Sequence, residues 1–294
     1  MSTLATILSP DFLLRDALVG SVLVGFICPL VGVYFILRRM IFLGVALPQV
    51  SAAGIAFTFM VYRLFVGPHP EAAVGERMLG LIGSGVFTIA ATLSLALMER
   101  SGRERIEARI GATYALAAAV TILFLAKDPH GDAEIVGLLK GDILATTSAS
   151  LSTMTAVFGA VLIALIVFQR QLLLVSFDRD LAIVFGRHVM LWDIVLYLLI
   201  GAVISLGVMS AGPLATFGFL VIPPLTMRLV SARMISFVLG SALLGGVTAF
   251  GGFYCAYRYD LPLAPAEVAL ASALLLAVGT FTGVRRALER WQAA

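Results

Sequence analysis

A chain of 294 residues that is 61% apolar and only 13% charged falls far short of the roughly 25% charge of a soluble domain. Its 20 basic and 17 acidic residues leave a formal net charge of +3, yet the arginines sit in short clusters between apolar runs, which excludes a nucleic-acid-binding stripe. The two cysteines, Cys28 and Cys255, both lie inside apolar runs, which excludes a secreted disulfide scaffold.

The N-terminal residues carry neither a basic leader nor a small-residue cleavage site, so the first apolar run is expected as a retained span. Uncharged runs at 17–37, 41–62, 78–98, 143–168, 194–227 and 234–257 hold 21, 22, 21, 26, 34 and 24 residues. Each reaches the roughly 18–20 residues that cross a hydrocarbon core of about 30 Å. Runs at 110–126 and 268–284 hold 17 residues each and are long enough when flanking side chains snorkel. The run at 194–227 needs separate treatment. As one straight helix it would measure about 51 Å, and it carries Gly212-Pro213 at its centre. Arg187 before it and Arg228 after it share a side only if the chain crosses and returns. The expected arrangement is a span ending near Ala211, a turn at Gly212-Pro213, and a short return span interrupted again at Pro223-Pro224. The fold class is therefore all-α, a polytopic membrane protein of about nine transmembrane helices, read as a single domain over residues 1–294.

Cytoplasmic loops are enriched in Lys and Arg. With Arg38 and Arg39 inside and the crossings alternating, the cytoplasmic segments hold 14 basic and 7 acidic residues and the outer segments 6 and 10. The outer acids include Asp11, Asp16, Glu71, Glu76, Asp128, Asp132, Glu134, Asp142, Asp260 and Glu267. The N-terminus is then outside and the C-terminus in the cytoplasm.

Away from their ends, the expected spans contain no Asp, Glu, Lys, Arg or His, whereas proton-coupled carriers and pumps place ionisable groups at membrane depth. The histidines, His69, His130 and His188, fall in loops and share no metal-ligand spacing with another His or Cys. No glycine-rich run ends in Gly-Lys-Ser or Gly-Lys-Thr, so the chain does not hydrolyse ATP unaided. An intramembrane enzyme would need a catalytic pair at depth, and no Ser-His, Asp-Asp or His-Glu set is found there. No cofactor is implied.

The best-formed soluble feature is the cytoplasmic stretch 169–191, QRQLLLVSFDRDLAIVFGRHVML. Ser176 and Asp178 are both N-cap types, Asp180 adds an acid to the first turn, and Gly186 suits a C-terminal stop. The pattern predicts a helix of about two turns at 178–186, too short to be stable alone, so the membrane body or a partner must hold it.

That loop, SFDRDLAIVFG at 176–186, resembles the coupling-helix segment of the permease subunits in ATP-driven importers of zinc, manganese and iron. LRRMIFLGVAL at 37–47 is similar to that family's segment after the first span. LLKGDILA at 138–145 is similar to its stretch before the fifth span, and FGFLVIPPLTMRL at 217–229 to its proline-bearing seventh. The resemblance covers nearly the whole chain. It implies a permease of the bacterial cytoplasmic membrane that pairs with a second copy of itself. It also implies a docked cytoplasmic ATP-binding-cassette ATPase dimer, and an extracytoplasmic solute-binding protein that delivers substrate outside. By the same resemblance Asp178, Asp180, Ala182 and Gly186 couple the ATPase to the spans, and Gln49 and Ser51 belong to the substrate path. Pro223 and Pro224 join that path where irregular backbone at membrane depth lines a cavity, the alternative being a tight structural hairpin with a proline kink.

The family commonly carries an Asp after the glycine corresponding to Gly44, then three positions further a small residue and a His. Here those positions are Val45, Pro48 and Gln49. Neither ligand is present, and an amide oxygen is a poor match for zinc. The reading is therefore an importer permease for zinc, manganese or a metal chelate, working by alternating access. A gradient-driven carrier or channel without an ATPase partner is the alternative.

Overall fold

The computed structural model describes Phe12, residues 14–66, 73–98, 103–126, Ile143, residues 146–186 and 188–293. The segment 138–145, which carries one of the family resemblances, lies outside the described residues except for Ile143, as do Arg187, His69 and His130.

Helices follow one another with no strand among the described residues. They are α1 (Arg15–Leu37), α2 (Leu43–Val66), α3 (Ala73–Met98), α4 (Arg103–Ala126), α5 (Ser148–Phe177), the short α6 (Arg179–Val184), α7 (Val189–Val230), α8 (Met234–Tyr259) and α9 (Leu263–Ala293). By length and composition, α1, α2, α4, α5, α7, α8 and α9 each contain a stretch apolar enough to cross a membrane, and α3 adds the shorter apolar segment Met78–Ser94.

With 42 residues, α7 would measure about 63 Å if straight, twice the hydrocarbon core. It does not run straight. Gly212 stands at φ 81°, ψ 167°, a left-handed conformation that glycine adopts without a Cβ clash. The chain folds back there, so that a Cβ on Gly207 would sit 3.0 Å from the Thr216 side chain, although nine residues separate them. The turn splits α7 into two arms, and counting these with the shorter α3 the described residues hold nine apolar helical segments.

The expected interruption at Pro223-Pro224 is not observed: Gly212 is the sole non-helical residue inside α7. A proline deprives its helix of one hydrogen bond, to the carbonyl four residues back. For Pro224 that carbonyl is Leu220, and it lies against Gly32 of α1, where any Cβ would collide with it. Pro29 in α1 does the same to the carbonyl of Gly25, which lies against Gly245 of α8. At both sites the proline frees a carbonyl, and a glycine on the facing helix leaves room for it. Close backbone approach of this kind supports Cα–H···O contacts and is how membrane helices gain packing energy without a hydrophobic drive.

The hairpin α7 is central, packing on α1, α2, α3, α5, α8 and α9. Most of α1, α2 and α7 is buried, while α4, α5 and α9 expose most of their surface, as expected of helices that face lipid. The ends of the bundle are distinct. Arg38, Ser176, Arg179 and Asp193 meet at one end. At the other, Ser148 donates to Asp16 at 2.7 Å and Phe12 packs edge-on against Phe253 and Tyr257.

One acid counted with the outer face is not there. Glu267 is buried inside the bundle, one turn into α9, where it accepts a hydrogen bond from Ser21 of α1. The helix begins at Leu263, ahead of the uncharged run, and α8 presents Gly252 beside Glu267. The missing side chain opens the space the acid fills.

Candidate functional site

The handle forms where the sequence places it. Asp178 leaves the helix of α5 in an extended conformation (φ −143°, ψ 98°) and caps α6, its Oδ1 accepting from the Leu181 N–H at 2.9 Å. This satisfies one of the orphan donors at the start of the helix. Asp180 is exposed in the first turn, where it faces the positive end of the helix. Gly186 takes φ 67° with nothing within 4 Å of a would-be Cβ, so the stop is imposed by conformation and not by crowding. Ser176, the other N-cap type, is instead buried in the last turn of α5.

A helix of six residues cannot hold itself. One anchor is apolar: Ala182, fully buried, packs with Val175 and Val189, backed by Leu174 and Trp192. The opposite surface is apolar and open. Phe177 is 79% and Val184 81% exposed, joined by Leu181, Ile183 and Phe185. At mid-bundle such residues would face lipid. Here they form an exposed apolar patch at the end that carries Arg38, Arg179 and Asp193.

The second anchor is ionic. Asp193, one turn into α7, accepts from Arg38 Nη2 at 2.7 Å through Oδ1 and from Arg179 Nη2 at 2.9 Å through Oδ2. Arg38 also donates from Nε to Ser176 Oγ at 3.1 Å, and its guanidinium lies 5.5 Å from the centre of the Tyr197 ring. Arg38 and Asp193 are nearly inaccessible, whereas Arg179 is 42% exposed. These partners lie 155 and 14 residues from Asp193 in sequence, and sequence reasoning missed the cluster. The one available signal was an acid standing directly before a 34-residue uncharged run.

The residues expected along a substrate path separate into three settings. Ser51 is buried in a hydroxyl seam: Ser51 Oγ lies 2.6 Å from Ser84 Oγ, and Ser84 donates to Ser205 Oγ at 2.7 Å, joining α2, α3 and α7. Gln49 is half-buried and, two positions from Ser51, points about 200° away around the helix. It shares a face with Val45, four residues back and also half-buried. Pro223 and Pro224 are buried in the returning arm of α7. Beside Val50, a cavity of about 360 Å³ between α2, α3 and α4 is lined by Ala53, Phe87, Ala91, Thr113 and Ala117 among others, and offers a cation no strong donor. Among the described residues, no three His, Cys, Asp or Glu side chains are grouped to hold a metal.

Known proteins of similar sequence and shape agree with one another. A model of the ABC 3 transport family matches residues 11–282. The manganese transport system membrane protein MntC of Halalkalibacterium halodurans is 26% identical over 278 residues, 95% of this chain and 90% of that protein. The manganese import system permease protein ScaB of Streptococcus gordonii is 26% identical over 270 residues, 91% of this chain and 90% of its own. Among solved structures, PsaBC from Streptococcus pneumoniae in complex with Fab superposes with a TM-score of 0.76 at 23% identity, covering 92% of this chain and 91% of that one.

Proposed function

The chain belongs to the ABC 3 transport family, and from that membership we propose that it passes a divalent transition metal, manganese or zinc, or a chelate of one, inward across the membrane. It is the permease of an ATP-binding-cassette importer, a multi-pass protein of the bacterial cytoplasmic membrane. ATP hydrolysis belongs to a separate cytoplasmic ATPase dimer, and substrate arrives from an extracytoplasmic solute-binding protein. Two copies of the chain enclose the route.

The observation that carries this reading is the handle. Around a buried anchor at Ala182, the handle turns outward Phe177, the last residue of α5, and Val184 and Phe185 at the end of α6, an apolar knob for a pocket on a partner. ATP binding draws the paired ATPases together, α6 moves with them, and the spans change access. The gradient-driven alternative gives this knob no occupant. In the test, the tagged permease is purified and the ATPase is sought among the proteins bound to it. Capture supports the reading, and its loss in Phe177→Asp with Val184→Asp ties it to the knob. A wild-type permease that captures no ATPase refutes it.

For the substrate, relatives named for manganese favour that metal, while Val45 and Gln49 supply no charge to the face of α2. Weak coordination midway is compatible with transport when the binding protein carries selectivity, because tight binding slows release. Reconstituted uptake with free manganese, free zinc and small-molecule chelates of each separates the options. Uptake of neither metal in any form overturns the substrate assignment.

A further inference from the structure

We infer that Asp193 is the pin that transmits movement of α6 to the membrane body, acting as a positioning residue through Arg179 on one side and Arg38 on the other. This rests on the importer reading above.

The argument is one of connectivity. The handle joins the body through two chain segments, α5 before it and α7 after it. A six-residue helix between two ordinary loops would swing on its anchor at Ala182, whose single methyl group gives little leverage. Asp193 removes that freedom. Its two oxygens point to different elements: Oδ1 to Arg38, one residue beyond α1, and Oδ2 to Arg179, the first residue of α6. Ser176, two residues before the α6 cap, takes Arg38 Nε. Both flanks of the handle, Ser176 and Asp193, therefore converge on a single guanidinium at the end of α1, and the first residue of α6 reaches it through Asp193. In turn α1 carries Gly32 against the Leu220 carbonyl and Gly25 against α8. A displacement of α6 reaches α1 and α7 through stiff, charge-assisted hydrogen bonds, and then the returning arm and α8 through backbone contacts.

Burial separates this from a surface ion pair. Arg38 and Asp193 are shielded from water, so their bonds escape most of the screening that makes exposed pairs weak. Removing one partner would leave the other buried without its counter-charge. Arg179 is the exposed member, and it belongs to neither the docking knob nor the substrate path. It can be altered while the Arg38–Asp193 pair stays whole.

The experiment uses that asymmetry. Arg179→Gln, Arg179→Lys and wild type are compared in the complex with ATPase and binding protein, with manganese as substrate, measuring ATPase capture, stimulated hydrolysis and uptake. A nitroxide at exposed position 183, in a permease with Cys28 and Cys255 replaced by alanine, reports handle mobility without any partner. The pin predicts that Arg179→Gln still captures the ATPase, that stimulated hydrolysis and uptake fall roughly fivefold, that the nitroxide becomes more mobile, and that Arg179→Lys restores most of each. Unchanged hydrolysis and uptake in Arg179→Gln overturn it, as does an unchanged nitroxide signal. A structural role alone would lower capture and uptake together and would not be rescued by lysine. A wild type that binds no ATPase refutes the importer reading instead, and the nitroxide still decides whether Arg179 holds the handle.

Discussion

The middle of the bundle and the handle at its end are built on opposite principles. Between α1, α7 and α8 the backbones themselves touch: the Leu220 carbonyl rests on Gly32, and the Gly25 carbonyl on Gly245, each released by a proline four residues on. No side chain intervenes, so nothing can adjust. The handle is held to the body by the buried Ala182 methyl and by the Asp193 carboxylate, and it leaves its apolar side open. The difference teaches how load is carried. A backbone seam of this kind is rigid, whereas the proposed lever is held lightly enough to be moved from outside.

The severest way to break this comparison is to put a side chain into the seam. Gly32→Leu drives carbons into the Leu220 backbone, which cannot step aside, and is expected to cost at least about 3 kcal/mol, the upper end of overpacking. It should appear as loss of folded protein in detergent extracts. Next comes the knob: Phe177→Asp with Val184→Asp should leave thermal stability within about 1 kcal/mol, as exposed positions do. ATPase capture should nevertheless fall by more than tenfold, as for a buried interface anchor.

Gly186→Val acts at the hinge. A β-branched residue at φ 67° costs about 1–3 kcal/mol and meets no steric contact. It should lower transport-coupled hydrolysis while membrane insertion is unchanged, and unaltered coupled hydrolysis would deny the handle its role. The mildest change is Ser84→Ala in the hydroxyl seam. It removes the single hydroxyl that bridges Ser51 and Ser205 and should cost about 1 kcal/mol in denaturant unfolding, with uptake near wild type. A large loss of uptake at unchanged stability would place the seam on the route.

Much of this was legible in the sequence. Apolar run length marked the long apolar helices, and Gly212-Pro213 announced the α7 turn because only a return satisfied the charges on both sides. Asp178 and Gly186 signalled the ends of α6 because caps are local: each acts on backbone within a few residues of itself. Pro223-Pro224 misled for the complementary reason. Whether a proline breaks a helix depends on what receives the freed carbonyl, and Gly32 lies some 190 residues away in the chain. Glu267 misled likewise, since its burial depends on the space that Gly252 leaves beside it and on Ser21 across the bundle.

By itself the sequence determined the properties that depend on near neighbours and on the solvent: that the chain lives in a membrane, which stretches are apolar enough to span it, and where a short helix begins and ends. Hydrophobic run length, charge and capping are sums over adjacent residues, so no fold is needed to evaluate them. Only the tertiary structure decided which carbonyls meet which glycines and that Asp193 joins Arg38 to Arg179. Those contacts need specific partners from distant segments at hydrogen-bond range, and one-dimensional order carries no distance between them.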